Sequence, residues 1–132
     1  CFVPYPFLPD DSRLPEAQLS SASETLRMIA ISRLMLDNIP HIKAYRMNIG
    51  DEVAELSLRY GADDIDGTVQ KESIMHLAGS KAPLDHDKVS LARIVQNSGS
   101  IPIRRDTIYS KFEEFKIPKE SERSSLKMAV GV

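Results

Sequence analysis

Apolar and polar positions alternate along the chain in blocks of two kinds. The opening run, Cys1-Phe-Val-Pro-Tyr-Pro-Phe7, is apolar and reads as a buried strand in which Pro4 and Pro6 limit the ladder hydrogen bonds. A polar connection from Leu8 to Ser20 carries Pro9, Asp10, Asp11 and Pro15. The spacing then turns helical, with Leu26, Ile29, Ile31, Leu34 and Met35 as an apolar stripe. Ser21 and Glu24, three positions apart, predict a capping box at its start, and Pro40 lies just past its end. His41–Met47 reads as a second strand. Asn48 is expected to cap a further helix whose first turn places Asp51 and Glu52 at the positive end of the helix dipole. Val53, Leu56 and Tyr60 are spaced for one buried face, and Gly61 supplies the stop.

Asp63–Val69 is a third strand by position. A short helix is expected over Lys71–Ala78, ending at Gly79. A longer one runs over Asp85–Ser98, with Val89, Ala92 and Val95 in register and Gly99 as its stop. Ile101–Ile103 reads as a short extended piece and Ile108–Phe115 as a final helix or turn. Met28, Met35 and Met47 fall in apolar stretches and are expected to fill core. Strands and helices thus alternate, which predicts an α/β fold of βαβ units with parallel strands. Residues 1–115 form the expected folded unit, and the polar tail 116–132 is expected to be disordered.

Composition narrows the function. The chain has 132 residues, enough for one domain and too few for a complete (β/α)8 barrel. Its 42% hydrophobic and 27% charged residues are those of a soluble globular protein. A net charge of −2, with no basic stripe, gives no electrostatic case for nucleic acid or membrane as partner. No run approaches the ~20 apolar residues of a membrane helix, and no signal peptide opens the chain, so a cytoplasmic setting is expected. One cysteine, Cys1, excludes an internal disulfide and a cysteine-based zinc site, and no metal site is read from the residues. A start inside a strand, without an initiator methionine, reads as a piece cut from a longer protein.

The segment Gly61-Ala-Asp-Asp-Ile-Asp-Gly-Thr68 holds three aspartates within four residues, where strand propensity disfavours them. Alternation sets Asp64, Asp66 and Thr68 on one face and Asp63, Ile65 and Gly67 on the other. Polar residues at the carboxyl mouth of a parallel sheet face a ligand, so the first set is the candidate site. The same residues also suit a solvated turn, the commoner role of Asp and Gly. Glu72 and His76, four apart on a helix, can hold a carboxylate substrate or move a proton, and equally make a surface ion pair. His41 and His86 sit at element ends as boundary residues. No nucleophile elbow and no glycine-rich phosphate loop is present.

Several stretches together resemble one family. Arg33-Leu-Met-Leu-Asp-Asn-Ile-Pro-His-Ile-Lys-Ala-Tyr45, Gly61-Ala-Asp-Asp-Ile-Asp-Gly-Thr-Val69 with Glu72, Ile74, His76, Ala78 and Gly79 beyond it, and Ile101-Pro-Ile-Arg-Arg-Asp-Thr-Ile-Tyr109 are similar to the C-terminal part of the aminodeoxyfutalosine synthases. The likeness covers Phe2 to Phe115. The related cyclic dehypoxanthinyl futalosine and deazaflavin-cofactor synthases share the Gly-Ala-x-Asp strand. The chain departs from the pattern at Arg46, where a Trp is usual, at Lys71, where an acid is usual, and at Met75, where a Tyr is usual.

The resemblance implies the last βα units of a radical S-adenosylmethionine (SAM) barrel of TIM type, incomplete here, with a C-terminal extension. It also implies a cytoplasmic transferase of the futalosine pathway to menaquinone. Such an enzyme uses SAM and a four-iron, four-sulfur cluster held by Cys-x3-Cys-x2-Cys, and adds the adenosyl radical to 3-[(1-carboxyvinyl)oxy]benzoate. That cysteine motif is absent from this chain, so the chain alone is expected to be inactive. By position at the strand mouth, Asp66 and His76 are the expected catalytic pair, with Asp64, Thr68, Glu72 and Arg46 toward substrate. A related radical SAM synthase, or a non-catalytic α/β binding module, fits the same element order.

Overall fold

In a computed structural model, which describes residues 1–10, 12–14, 16–68, 74–83 and 86–118, helices and short strands follow one another in the expected order. These are α1 (Ala22–Met35), β1 (Lys43–Ala44), α2 (Arg46–Ile49), α3 (Asp51–Ser57), β2 (Asp64–Ile65), α4 (Ile74–Leu77), α5 (Lys88–Asn97), β3 (Ile103–Arg105) and β4 (Phe112–Glu114). The capping box starts α1 as the sequence predicts. The Glu24 N–H donates to Ser21 Oγ at 3.2 Å, and the Ser21 N–H donates to the Glu24 carboxylate at 2.8 Å.

Parallel pairing follows the alternation. Lys43 is in register with Asp64 and Ala44 with Ile65. On the other edge of β1, Phe2 forms a parallel bridge to Ile42, with the Phe2 N–H on His41 O and the Lys43 N–H on Phe2 O, both at 2.8 Å. All three expected strand segments therefore run the same way, with β1 in the middle, as an open parallel arrangement rather than a closed barrel.

Each strand is shorter than expected, for an identifiable reason. Pro4 and Pro6 lack the donors that would extend the first beyond its single bridge. The second does not reach Met47, because the backbone turns into α2 after Tyr45. In the third, Asp66 uses its side chain to take the Arg46 N–H that a longer ladder would use. The outer part of the third strand, Val69, lies outside the described residues.

The core lies between the strand pair and the helices on one face. Ile29, Ile42, Ala44, Ala54 and Ala62 are buried together, with Phe2, Leu36, Ile49, Leu58 and Ile65 packed around them. Burying Ile29 and Ile42 completely stabilises the fold by about 1.5–3 kcal/mol each. On α1 the buried face is Thr25, Leu26, Ile29 and Ser32, a correction to the expected stripe. Ile31, Leu34 and Met35 are exposed, Leu34 by 80%, and Met28 is exposed as well. The helix is apolar on two sides, and this chain covers one of them. Met47 does fill core.

Asn48 caps nothing: it is buried inside α2, and Gly50, with φ 82°, precedes α3. The buried face of α3 is Ala54 and Ser57, while Leu56 and Tyr60 are exposed. These small residues let α3 lie against both α1 and α5. Within α5, Leu91, Ala92 and Ile94 are buried. Arg59 donates to the last carbonyls there, Asn97 O at 2.8 Å and Ser98 O at 3.0 Å.

The expected helix or turn over Ile108–Phe115 is instead the second half of a hairpin. Ile103 pairs with Glu114, Arg104 with Glu113 and Arg105 with Phe112, all antiparallel. Asp106 shapes the turn by accepting the Ser110 and Lys111 N–H groups and the Ser110 hydroxyl. Lys71 to Ser73 of the expected short helix, and the tail from residue 119, lie outside the described residues. No helix among the described residues is long and apolar enough to cross a membrane.

Candidate functional site

The aspartates of the third strand are tolerated because each carboxylate meets a donor on a neighbouring element. Asp63, at the amino end, accepts the Ile42 N–H at 2.8 Å, Arg33 Nη2 at 2.5 Å and His41 Nδ1 at 2.7 Å. Burial pushes its carboxyl pKa up, but the Ile42 N–H, the His41 ring and the Arg33 guanidinium together hold it below the ordinary aspartate value. Asp64, in register with Lys43, turns away from the core. It accepts Arg105 Nε at 2.9 Å, Arg105 Nη2 at 2.7 Å and the Tyr109 hydroxyl at 2.5 Å, with Lys43 Nζ at 3.5 Å.

Asp66 stands at the carboxyl end of the pair, 6% exposed. Its Oδ1 accepts the backbone N–H of Arg46 at 2.5 Å. The Arg46 side chain is fully buried beside it, with Nε 3.7 Å from Asp66 Oδ2, an ion contact too long for a hydrogen bond. Arg46 Nη1 donates to Asp51 Oδ1 at 3.0 Å and to Pro83 O at 2.9 Å, and the other Asp51 oxygen lies 2.6 Å from His86 Nε2. Among the described residues, Arg46 Nε and Asp66 Oδ2 are buried without a hydrogen-bond partner, as is Asn48 Oδ1. Burial raises the Asp66 carboxyl pKa against the Arg46 charge and the N–H bonds that oppose it. A carboxyl raised in this way at the mouth of a parallel sheet is placed for proton exchange or for hydrogen bonding to a ligand.

A loop closes over this pair. Ser80 Oγ donates to Met47 O, the Ala82 N–H donates to Ser80 Oγ at 3.3 Å, and Pro83 O caps Arg46. His76, on α4, anchors the loop with Nε2 2.9 Å from Ala82 O. Because a carbonyl only accepts, Nε2 carries a proton and a neutral ring leaves Nδ1 as acceptor.

The structure thus brings Asp66 and Arg46 together, places Asp64 on the same strand among other partners, and sets His76 on the covering loop rather than against Asp66. Thr68 is exposed, and Glu72 lies outside the described residues. Sequence reasoning missed Lys43, Arg105 and Tyr109. It took Asp51 for a dipole partner and His86 for a boundary residue. Their contacts span 21 to 45 residues of chain and leave no local pattern, although Arg105 and Tyr109 do fall in a family-like stretch.

Among the described residues, no group of three or more His, Cys, Asp or Glu is placed to hold a metal ion, and Cys1 is exposed. The residues of this chain do not fit an iron–sulfur cluster.

A parallel strand pair with helices between and after its strands places the chain in the α/β class. Comparison with known proteins narrows this: residues 1–120 match the family described as the CofH/MqnC C-terminal region, and the chain belongs to that family. It is 41% identical over 112 residues to aminodeoxyfutalosine synthase of Thermus thermophilus, covering 82% of this chain and 30% of that protein. It is 35% identical over 108 residues to cyclic dehypoxanthine futalosine synthase of Streptomyces coelicolor, covering 82% of this chain and 27% of the relative. A third relative, 5-amino-6-(D-ribitylamino)uracil–L-tyrosine 4-hydroxyphenyl transferase of Methanoculleus marisnigri, is 36% identical over 113 residues, covering 83% and 31%. The chain spans about three-tenths of the length of these relatives. By their names, they are synthases and transferases acting on small molecules.

Proposed function

We propose that residues 1–115 are the last βα units and C-terminal extension of a cytoplasmic radical SAM enzyme. The whole protein, on this proposal, is an aminodeoxyfutalosine synthase that adds the adenosyl radical of SAM to 3-[(1-carboxyvinyl)oxy]benzoate in menaquinone biosynthesis. The observation that carries it is the buried Asp66–Arg46 pair at the carboxyl end of parallel strands, where α/β enzymes bind their ligands. The 41% identity to the Thermus enzyme, against 35% and 36% to the other two relatives, supports this reaction over theirs. An open cleft of about 650 Å³ between Phe2–Pro6 and the Glu24–Ile31 side of α1 suits a preceding βα unit. On this reading the cluster ligands lie in the part of the protein outside this chain.

The roles of this chain's residues are then to bind and orient. Asp66 and His76 are the catalytic pair: Asp66 accepts a hydrogen bond or proton at the strand mouth, and His76 offers Nδ1 from the covering loop. Arg46 keeps Asp66 in place and supplies positive charge toward a substrate carboxylate, with Thr68 at the rim and Asp64 one inward position below; Glu72, outside the described residues, is proposed for the substrate as well.

The test is the full-length enzyme, reconstituted anaerobically with iron and sulfide and given SAM, a low-potential reductant and the enolpyruvyl ether. Aminodeoxyfutalosine should form. Turnover only with the substrates of the other two relatives assigns one of their reactions instead, and no SAM cleavage with any of them leaves a binding module.

A further inference from the structure

Asp64 has two carboxylate oxygens and four donors around them, and three of those donors come from the C-terminal hairpin. Arg105 approaches with two nitrogens, Nε at 2.9 Å and Nη2 at 2.7 Å, and the Tyr109 hydroxyl donates at 2.5 Å. Tyr109 is the single non-glycine residue with positive φ among the described residues, at 57°. Its ring stacks on His41, with centroids 4.4 Å apart and planes 17° from parallel, and lies 4.1 Å from the Arg105 guanidinium carbon. A side chain holds such a backbone only where its surroundings over-determine it, and such sites cluster where geometry serves function. Here its contacts converge on the amino half of the strand pair.

Asp66 follows Asp64 at the next position on the same face of the strand. The ladder between β1 and β2 is two residues long, too short to fix its own register firmly. Lys43, in register with Asp64 on the neighbouring strand, adds the fourth donor, its Nζ 3.5 Å from Asp64 Oδ2.

We propose that Arg105 and Tyr109 are positioning residues for Asp66, acting through Asp64: they pin the strand that leads directly into Asp66. The role in turnover rests on the function proposed above, whereas the mechanical coupling does not. The C-terminal hairpin is then part of the site's machinery.

The experiment uses the full-length enzyme with Tyr109→Phe, Arg105→Lys, Asp64→Asn and the double variant Tyr109→Phe/Asp64→Asn. Product per deoxyadenosine released is measured beside thermal midpoint and amide exchange. Tyr109→Phe and Arg105→Lys should hold the midpoint near wild type and keep SAM cleavage, yet lower the product ratio about fivefold or more, the scale of coupling inside a network. The double variant should be no worse than Asp64→Asn, since both changes act through one carboxylate. A wild-type product ratio in the single variants, or losses that multiply in the double one, overturns the proposal. If the wild-type enzyme makes none of the three relatives' products, the function reading fails separately, and exchange of the Arg46 N–H decides. Faster exchange in Tyr109→Phe by about fivefold or more supports the coupling, and unchanged exchange overturns it.

Discussion

Asp66 meets Arg46 twice, accepting its backbone N–H at 2.5 Å through Oδ1 and facing its guanidinium Nε at 3.7 Å through Oδ2. One side chain thereby replaces a ladder rung and balances a fully buried charge. The two duties separate in variants. Asp66→Asn keeps an oxygen for the N–H and should leave the fold intact while product formation falls and SAM cleavage continues. Asp66→Ala removes both, leaves Arg46 buried against Asp51 alone, and should cost about 3–5 kcal/mol. Denaturant unfolding with a product assay distinguishes the pair. Equal stability of the two variants would contradict this division.

Arg46 is the complementary case. Its fork reaches Asp51 and Pro83 O with one nitrogen while Nε turns to Asp66, a geometry that a lysine ammonium cannot span. Arg46→Lys should therefore retain charge yet lose stability and coupling together. Arg46→Met, which leaves two carboxylates without a cation, should lose more, by about 3–5 kcal/mol. A thermal midpoint for Arg46→Lys equal to wild type would show that charge alone suffices.

What the sequence disclosed was local, and what it hid was distant. Ser21 and Glu24 are three residues apart and set the start of α1 by themselves. The strand–helix order gave the parallel pairing of β1 with β2, because connectivity constrains direction. Ile108–Phe115, expected as a helix or turn, starts in a turn and ends in β4, because the pairing of Phe112–Glu114 to Ile103–Arg105 depends on the distant partner strand and on the Asp106 turn. The α1 stripe failed because Ile31, Leu34 and Met35 belong to a second apolar face that none of the described residues covers. In the site, the acidic strand was visible as an anomaly of propensity, but its cations were not. Arg46 precedes Asp66 by 20 residues, and Arg105 follows Asp64 by 41.

Asp63 and Asp66 should pull the pH dependence of stability in opposite directions. Asp63 has a lowered folded pKa, so its contribution is present above the unfolded value of about 3.9 and is lost as pH falls through the folded one. Asp66 has a raised folded pKa, so its contribution is present below that unfolded value and is lost as pH rises through the folded one. Asp63→Asn should flatten the acid limb of a stability scan below about pH 4, and Asp66→Asn should steepen the rise above it. Parallel curves for wild type and both variants would refute the assigned shifts.

The 132-residue chain should not assemble a cluster. It has one cysteine, and among its described residues no other group of ligands converges. Anaerobic treatment with iron and sulfide should give no stoichiometric charge-transfer absorbance after desalting. A stable cluster per chain would sink this expectation and require ligands that the described geometry does not bring together.

His76 carries a sharper test, because its structural duty and the chemical one proposed for it use different nitrogens. Nε2 donates to Ala82 O and so holds the loop from Ser80 to Pro83 over Arg46. Nδ1 remains for a ligand. A glutamine side chain can still donate to Ala82 O from its amide, but it offers no ring nitrogen that exchanges a proton near neutral pH. His76→Gln in the full-length enzyme should therefore keep the thermal midpoint and SAM cleavage while product falls by about 100-fold, the low end of what a general acid or base contributes. His76→Ala should lose the loop anchor as well, lowering the midpoint and raising proteolytic cleavage between Ser80 and Pro83. If His76→Gln makes product at a near-normal rate while His76→Ala does not, His76 serves the loop alone, and the catalytic role falls to Asp66 without it.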